Sequence, residues 1–547
     1  MTRQLNLDDI QGNITRAYGR FSFPFARYFF LNIRETEAGR RFVDQVRPHV
    51  TTAARWSPDS APKVTLNIGF TYPGMRKLGL PTRTLQGMPE SFVDGMKARA
   101  FILGDRSADR VEEDDDGWCA HWDPIWRKNR SSPEDRPDDV HIWISMNARL
   151  AKLGTDLPVP ELDERTDWLR GLCSEDGVQV LKGHGRDENA DFQAASAVFT
   201  TIDGVKYPTP REHFGLTDGI GDPVFEGQYP PEQEKEAVIG RGKWMGRKTG
   251  WQPIAAGEFI LGYPDEAQEL PPAAMPPNVM QNGSFMVYRK LHENVATFEA
   301  VIEAEAEGFA RTMGVSAAQA RETVKAKMVG RWSDGVPVAT APGFDDWLAV
   351  RRAHGLDDED PGKALAAQRA YLKSTAASDF RYADDMGGFK CPGGAHLRRV
   401  NTRDYLDPLN QPGKANRDAT TQLNKRRRIL RRGLPYGPDD TAHKDDDTEQ
   451  GVAMMIIGAS IFRQFEFVQQ QWIQYGLDFN QGNNTCPLLG DHSRHTRFTI
   501  PSDPKSGKPP YVMGGLKTFV ETRGGDYFFL PSMTALHMIA LGIVDPT

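Results

Sequence analysis

The interleaving of strand-like and helix-like segments in the first 205 residues is the feature that most limits the fold. Apolar stretches that alternate or are rich in aromatic residues predict strands. Strands are expected at 21–33, 64–71, 140–146 and 178–181, and helices at 90–102 and 161–172. No glycine-rich phosphate-binding loop joins a strand to a helix in this region. The pattern therefore predicts an α+β fold, with helices over an antiparallel sheet, rather than a doubly wound nucleotide-binding fold.

The length of the chain predicts more than one domain. Its 547 residues exceed the roughly 100–200 residues of an ordinary domain. We predict an amino-terminal domain at 1–205 and a carboxy-terminal domain at 206–547. Strands at 257–263 and 284–291 and a helix at 294–309 are expected in the second domain. Its insertions are expected at about 344–385, which resembles a helical hairpin, at 404–424 and at 438–450.

Composition and charge argue against several classes of protein. Apolar residues make up 39% and charged residues 26%, and the net charge of −7 gives no general attraction to nucleic acid. The amino terminus lacks a signal-like apolar segment, and the longest apolar run, 451–462, is too short to cross a bilayer. We therefore expect a cytoplasmic protein without a membrane segment. The four cysteines form no Cys-x-x-Cys pair, which argues against a disulfide framework or a thiolate metal site.

One histidine stands in a setting that suits a metal ligand. His396 follows a Pro-Gly-Gly break and precedes Arg398, Arg399 and Arg403. A neutral imidazole can ligate iron, and arginines nearby can pair with carboxylates. Haem needs this combination, because its iron takes an axial donor and its two propionates take cations. The same residues are also common in solvated turns, so the rest of the chain must decide.

A second segment, 213–223, places one carboxylate between glycines. In Gly215-Leu-Thr-Asp218-Gly219 the glycines permit tight turns and close approach to a planar ligand. The alternative is an ordinary turn in which the aspartate accepts local hydrogen bonds. Asp218 is a candidate catalytic residue if the segment lines a site.

A third segment, 426–437, is rich in arginine. It could be a basic surface patch for nucleic acid. Apolar residues interrupt the arginines, however, and an alternating strand would send Leu430 and Arg431 to opposite faces. Arg431 would then reach an interior site, and Arg432 is the alternative if the strand has the other phase.

Taken together, these three segments resemble dye-decolourising peroxidases. The resemblance rests on Gly215-x-x-Asp218-Gly219, on Cys391-Pro-x-x-Ala-His396 with Asn401 and Arg403, and on Ile429-Leu-Arg431-Arg-Gly. It covers most of the chain, with further similar stretches such as Val329-Gly-Arg-Trp332, and the length and insertions are similar to the larger, more elaborated members. The resemblance implies two ferredoxin-like α+β domains, with haem held mainly by the carboxy-terminal one.

The resemblance also implies roles for individual residues. His396 would be the proximal ligand to the iron of one haem b, and Arg403 would bind a propionate. Asp218 would take a proton from hydrogen peroxide and return it to the departing oxygen, while Arg431 would stabilise the negative charge. The pocket would be lined by Gly219, Ile220, Gly221, Arg431, Val452 and Met454. The implied activity is the oxidation of dyes, phenolics and other organic reductants by hydrogen peroxide.

Several points stay open from the sequence. The acceptor for the second ring nitrogen of His396 could be Asp491 or Glu466, because Cys486 stands where relatives often carry aspartate. Candidate surface residues for electron transfer are Tyr436, Trp472 and Tyr475. The alternative function is a haem-binding or haem-handling protein with little turnover. Homo-oligomer formation is open, and neither nucleic acid nor a membrane is expected as a partner.

Overall fold

The computed structural model of the protein describes residues 4–57, 59–105, 119–128, 138–270, 276–410, 416, 418–439, 445–492 and 496–543. Among these residues, one nine-stranded sheet and three two-stranded sheets are present. The strands are β1 (Phe25–Ile33), β2 (Val64–Phe70), β3 (Ile142–Ala148), β4 (Val178–Val180), β5 (Gln193–Ser196), β6 (Phe199–Ile202), β7 (Val205–Pro208), β8 (Lys243–Trp244), β9 (Trp251–Gln252), β10 (Ser284–Glu293), β11 (Leu430–Tyr436), β12 (Gly451–Gly458), β13 (Arg497–Ile500), β14 (Tyr511–Gly514) and β15 (Val520–Leu530).

Helices connect and cover these strands. The α-helices are α1 (Gly12–Thr15), α2 (Thr36–Val46), α3 (Tyr72–Lys77), α4 (Thr82–Gln86), α5 (Glu90–Ala98), α6 (Ala100–Leu103), α7 (Pro124–Lys128), α8 (Glu161–Gly171), α9 (Pro231–Ala237), α10 (Pro277–Met280), α11 (Val295–Met313), α12 (Ala317–Val329), α13 (Phe344–His354), α14 (Pro361–Lys373), α15 (His396–Val400) and α16 (Met533–Leu541). Short 3₁₀ helices span Arg47–His49, Ala256–Glu258, Thr375–Ala377, Lys425–Arg427, Leu477–Phe479 and Pro504–Ser506, and π-helices span Phe462–Glu466 and Val468–Ile473.

The amino-terminal strands have the strand order of a ferredoxin-like unit. They lie in the order β2-β3-β1-β4, and β5 also pairs with β1. All of these pairs are antiparallel. Helix α2 separates β1 from β2, and α8 separates β3 from β4. The unit is therefore a β-α-β-β-α-β arrangement.

The carboxy-terminal strands repeat this order. They lie in the order β11-β12-β10-β15. In both halves, therefore, the strands are arranged as second, third, first and fourth in chain order. The pair Phe529–Phe70 joins β15 to β2 and makes one continuous sheet. The prediction of an α+β fold built from two ferredoxin-like units is confirmed. The boundary at residue 205 stays a prediction, and that residue is the first of β7.

Strands β1, β2, β3 and β10 are covered on both faces, and none of them has an exposed residue. In β1, Tyr28, Phe29, Phe30 and Leu31 are all fully buried, although successive side chains point to opposite faces. One face of β1 packs on the carboxy-terminal half, because the rings of Tyr28 and Phe30 contact that of Tyr288 in β10, with centroids 5.8 and 4.9 Å apart. Burial of apolar surface contributes roughly 25 cal/mol per Å² to stability. No helix among the described residues is long and apolar enough to span a membrane.

One predicted strand is wrong. No strand is present at 257–263. Ala256–Glu258 form a 3₁₀ turn, and residues 259–263 form irregular structure. Phe259, Ile260 and Leu261 are fully buried, so their apolar character reflects packing in the core rather than strand pairing. The backbone N–H of Ile260 donates to the carbonyl of Ala256, as in a turn. A short apolar run alone cannot distinguish these two cases.

The predicted insertions differ in structure. The helical hairpin expected at 344–385 is present as α13 and α14. Helix α14 starts with Pro361 after Asp360, whose carboxylate accepts hydrogen bonds from the backbone N–H groups of Gly362 and Lys363. The described residues of 404–424 and 438–450 form turns and irregular structure; residues 411–415, 417 and 440–444 lie outside the described part.

Candidate active site

A mostly apolar cavity of about 210 Å³ lies beside the carboxy-terminal strands, and we call it the main cavity. Its apolar wall includes Leu216, Ile220, Leu291, Val329, Val452, Met454, Ile456, Phe465, Val468 and Ile473. The last three belong to the π-helical segments, and π-helical geometry is frequent at functional sites. Polar side chains reach the same cavity from distant parts of the chain, among them Asp218, His396 and Arg431. The three segments singled out in the sequence therefore meet at one place.

His396 is the first residue of α15 and lines the main cavity. Burial, together with the nearby Arg431 guanidinium, lowers the pKa of His396 to about 3. The imidazole is therefore neutral near pH 7, which is the form that binds metals. Its Nδ1 lies 3.3 Å from Sγ of Cys486.

The partner of His396 is thus neither of the two acids considered from the sequence. Glu466 is engaged elsewhere: its carboxylate accepts from Nε of Arg99 at 2.6 Å and from the Tyr527 hydroxyl at 2.8 Å. Asp491 lines a different, smaller cavity. Cys486 is fully buried, and burial raises the pKa of its thiol.

Asp218 is held by two arginines from different halves of the chain. Nη2 of Arg431 donates to Oδ1 at 2.6 Å, and Nη2 of Arg20 donates to Oδ2 at 3.0 Å. Burial opposes the charge of Asp218, but the arginines outweigh it and hold the pKa of Asp218 well below its usual value. The carboxylate is therefore ionised and oriented, and 28% of its side-chain surface remains accessible.

Glycines shape the loop that carries Asp218. Gly219 and Gly221 have φ angles of 80° and 78°, a region that other residues rarely adopt. A Cβ at Gly219 would meet no atom within 4 Å, so glycine is required there by backbone conformation rather than by space. The loop turns at these residues and leaves the Asp218 carboxylate at the main cavity.

Strand alternation separates Arg431 from Arg432. Arg431 lines the main cavity. Arg432 instead donates to the Asp222 carboxylate at 2.6 Å and to the Asn13 carbonyl at 2.7 Å. Arg432 thus ties the strand to the amino-terminal segment, and Arg431 is the one that contacts Asp218.

A second cavity meets the main cavity at Asp218 and Arg431, and we call it the side cavity. Its basic lining residues also include Arg20, Arg369, Lys373 and Arg432. The predicted pocket residues are divided between the two cavities. Ile220, Val452 and Met454 line both cavities, Gly221 lines the main cavity, and Gly219 lines the side cavity.

Two buried arginines at the main cavity have no acidic partner. Arg331 donates to the carbonyls of Gly335 and Ala377 at 2.8 Å, and Arg428 donates to backbone carbonyls at 3.2 and 3.3 Å. Within the described residues, neither guanidinium lies within ion-pair distance of a carboxylate. Burial lowers the pKa of Arg331 and of Arg428 to about 10. Asp222 partly offsets the effect of burial on Arg428, but neither arginine is directly paired with a carboxylate, which suits an anionic group in the cavity.

Arg403 does not line either cavity, which differs from the expectation for a propionate ligand. Its guanidinium lies 3.6 Å from the ring centroid of Phe380 and donates to the Phe380 carbonyl at 2.6 Å. It is close enough to Arg331 to lower the pKa of that residue. The cavity therefore offers Arg331 and Arg428 where the sequence predicted Arg403.

A pair of buried acids also borders the main cavity. Burial raises the pKa of Glu212 to about 7, and burial together with the Glu212 charge raises that of Glu293 well above its usual value. Glu212 accepts hydrogen bonds from the backbone N–H groups of Phe214 and Leu216, both at 2.8 Å. The pair therefore carries less than its full negative charge near pH 7.

The candidate electron-transfer residues differ in exposure. Tyr436 and Trp472 are each only 2% exposed, whereas Tyr475 is 52% exposed. Trp472 donates from Nε1 to Asp478 at 3.0 Å, as a packed core residue does. Only Tyr475 of the three can meet a bulky donor at the surface.

Four residues of the site were not assigned roles from the sequence: Arg20, Arg331, Arg428 and Cys486. Arg331 lies in Val329-Gly-Arg-Trp, one of the stretches that carry the resemblance, so a signal for it existed. Arg20 is 198 positions away from the aspartate that it contacts, and no local pattern connects them.

Comparisons with known proteins find relatives over almost the whole chain. No protein-family model matches it. The chain is 27% identical over 555 residues to the dye-decolorizing peroxidase msp1 of Mycetinis scorodonius, covering 98% of this chain and 88% of that protein. It is also 27% identical over 568 residues to the multifunctional dye peroxidase DyP2 of Amycolatopsis sp., covering 97% and 96%.

A solved structure has the same fold. A dye-decolorizing peroxidase in complex with 2,6-dimethoxyphenol matches with a TM-score of 0.68 and 21% identity, covering 98% of this chain and 100% of that one. The sequence relatives extend over the same length and share that description. The chain is therefore similar, over nearly its whole length, to proteins described as dye-decolorizing peroxidases, and it has their fold.

Proposed function

We propose that the protein is a haem peroxidase that uses hydrogen peroxide to oxidise dyes, phenolics and other organic reductants. One observation carries the proposal: a neutral imidazole, His396, and an Asp218–Arg431 ion pair line the same apolar cavity. Relatives over nearly the full length are named dye peroxidases, and the solved relative binds a phenol, 2,6-dimethoxyphenol. The donors and the peroxide are small molecules in this proposal.

The residues of the main cavity fit haem b, one per chain. His396 offers a neutral nitrogen ligand, and apolar side chains match the porphyrin face. Arg331 and Arg428 are buried cations without carboxylate partners, as two propionates require. Among the described residues, no group of three or more His, Cys, Asp or Glu could hold a metal ion alone. Iron at His396 would therefore need the remaining ligands that a porphyrin provides.

When bound, haem would supply the redox chemistry that cleaves the peroxide O–O bond and withdraws electrons from the donor. The chain's own contribution begins with His396, whose Nε2 would hold the iron. Arg331 and Arg428 would fix the propionates and thus the orientation of the ring. The apolar wall would exclude water from the reacting centre.

Asp218 would move the proton. Its carboxylate is ionised because Arg431 and Arg20 hold its pKa below the usual value, so it can accept a proton from hydrogen peroxide even in acidic solution. The protonated form would return this proton to the departing oxygen, which leaves as water. Arg431 would place its positive charge where negative charge develops on the peroxide.

A rapid-mixing absorbance experiment tests the proposal. Haem-loaded wild type, Asp218→Ala, Arg431→Ala and His396→Ala are each mixed with hydrogen peroxide while the Soret band is followed. We expect a fast spectral change in the wild type. Loss of Asp218 should slow this change by about 10²–10⁴-fold, and loss of Arg431 by about 10²–10³-fold.

Arg432→Ala is the matched control, because Arg432 lies on the same strand and contacts Asp222 and Asn13 instead. This change should lower stability, since it leaves the partly buried Asp222 carboxylate without its ion-pair partner, and should leave the peroxide step within a few-fold of wild type. A Soret band that peroxide leaves unchanged, or bleaches slowly and equally in every variant, would indicate a haem-handling protein instead.

A further inference from the structure

Cys486 is the residue that faces the second ring nitrogen of His396. Its Sγ lies 3.3 Å from Nδ1, and the cysteine itself is fully buried and does not line the main cavity. One nitrogen of His396 is thus engaged behind the cavity wall, while the imidazole lines the cavity. The contact fixes the direction of the ring.

The surroundings of this sulfur favour its role as a hydrogen-bond acceptor. The backbone N–H groups of Leu488, Leu489 and Gly490 all approach it. When Nε2 of His396 holds a metal, Nδ1 carries the ring proton, and the sulfur is then its acceptor. The neighbouring charge is also positive, because Arg399 lies close to both His396 and Cys486.

The strength of this acceptor affects the ligand. A hydrogen bond from Nδ1–H to a strong acceptor raises the basicity of a metal-bound imidazole, and sulfur is a weak acceptor compared with a carboxylate. A less basic imidazole stabilises the oxidised metal less. The group that hydrogen-bonds to an axial ligand is one means by which proteins set the reduction potential of haem.

We propose that Cys486 is a positioning residue that orients His396 and, as a weak acceptor, sets the reduction potential of an iron held there above the value that a carboxylate at the same place would give. The inference rests on the proposed function, because it requires haem at His396. A higher potential favours the withdrawal of electrons from donors that are harder to oxidise.

The test compares haem-loaded wild type with Cys486→Asp, Cys486→Asn and Cys486→Ala. Two quantities are measured: the midpoint potential, by spectroelectrochemical titration at one pH, and the iron–imidazole stretching frequency of the reduced protein, by resonance Raman spectroscopy. Cys486→Asp should shift the potential downward and the stretching frequency upward. Cys486→Ala should lie much closer to wild type than Cys486→Asp in both quantities.

Cys391→Ala is the control, because Cys391 is another fully buried cysteine and lies on the segment that leads to His396. It should leave both quantities unchanged. If the buried aspartate prevents folding, Cys486→Asn supplies an uncharged oxygen acceptor and should shift both quantities in the same directions, by less.

The outcomes separate this inference from the proposed function. A normal Soret band with the same potential and stretching frequency in wild type, Cys486→Asp and Cys486→Asn would overturn the inference alone. A wild type that develops no Soret band on titration with haem would overturn the proposed function, and the role of Cys486 with it.

Discussion

The two halves of the protein share one strand order but use their sheets differently. In the amino-terminal half, strand β1 buries Tyr28, Phe29 and Phe30 completely, and their rings fill the core. In the carboxy-terminal half, β11 and β12 turn side chains toward the main cavity instead, including Arg431 and Met454. The topology is the same, so the chemistry lies in the side chains that each half places on its sheet.

A buried histidine in each half makes the comparison concrete. Burial lowers the pKa of both His184 and His396 to about 3, so both imidazoles are neutral. His184 packs against the ring of Phe30, with centroids 5.5 Å apart, and lines neither cavity. His396 lines the main cavity together with Asp218. A neutral buried imidazole is therefore not enough to make a ligand, and the cavity distinguishes the two.

The largest expected effect comes from replacing each of these two histidines by alanine. His396→Ala should weaken haem binding by at least about 100-fold, because even changes in the partners of a ligand commonly cost 10–100-fold. His184→Ala should instead lower the free energy of unfolding by about 2 kcal/mol, as core truncations do, with haem affinity unchanged. Haem titration followed at the Soret band and denaturant unfolding check the two results. Equal haem affinity in both variants would show that the histidine chosen is the wrong one.

The arginines give a smaller effect that sharpens the comparison within the carboxy-terminal half. Arg331→Gln and Arg428→Gln should each weaken haem binding by about 10-fold, the value of one charge-assisted hydrogen bond. Arg403 lies against Phe380 and outside both cavities. The change Arg403→Gln should therefore weaken haem binding less. The titration is then repeated with the dimethyl ester of haem, in which the propionates carry no charge. The difference in affinity between wild type and the first two variants should then disappear. A larger loss in Arg403→Gln than in the others would favour the residue predicted from the sequence.

The smallest effect concerns the arginine that the amino-terminal half contributes to the site. Arg20 helps to hold the pKa of Asp218 low, against the opposing effect of burial, while Arg431 and Glu212 also act on it. Arg20→Gln should therefore raise the pKa of Asp218. As the pH falls, the ionised form of Asp218 is then lost at a higher pH. The acidic limb of the pH–rate profile, where the rate constant with peroxide declines, should therefore move to higher pH.

The pH dependence of the second-order rate constant with peroxide measures this shift. Arg369→Gln is the matched control: its guanidinium lines the same side cavity but packs 4.3 Å from the ring centroid of Phe21 and donates to Pro208. It should leave the acidic limb in place. An unchanged limb in Arg20→Gln, or an equal shift in both variants, would argue against a direct effect on Asp218.

The sequence predicted most of the strands and helices because their patterns involve residues that are close together in the chain. The apolar segments of β1, β2 and β10 were recognisable. Helix α12 likewise begins after a serine, Ser316, whose Oγ accepts from the Gln319 N–H at 3.2 Å, as is common at helix starts. Residues 257–263 were assigned wrongly, since burial without pairing leaves the same apolar signal as a strand. The π-helical geometry of Phe462–Glu466 also has no sequence pattern of its own.

The candidate site could be predicted only in part, for a related reason. Asp218, His396 and Arg431 carry motifs, and the structure brings them to one cavity. The contact between Arg20 and Asp218 depends on the packing of two halves against each other, which no local pattern encodes. The same holds for the contact between Cys486 and His396 across 90 positions.

The central claim is that the main cavity of the carboxy-terminal half holds haem through His396. Anomalous diffraction at the iron edge from crystals of the haem-loaded protein tests it most directly. The account predicts one iron peak per chain at bonding distance from Nε2 of His396, with the propionates directed to Arg331 and Arg428. An iron peak bound to any other residue, or propionates directed away from both arginines, would contradict it.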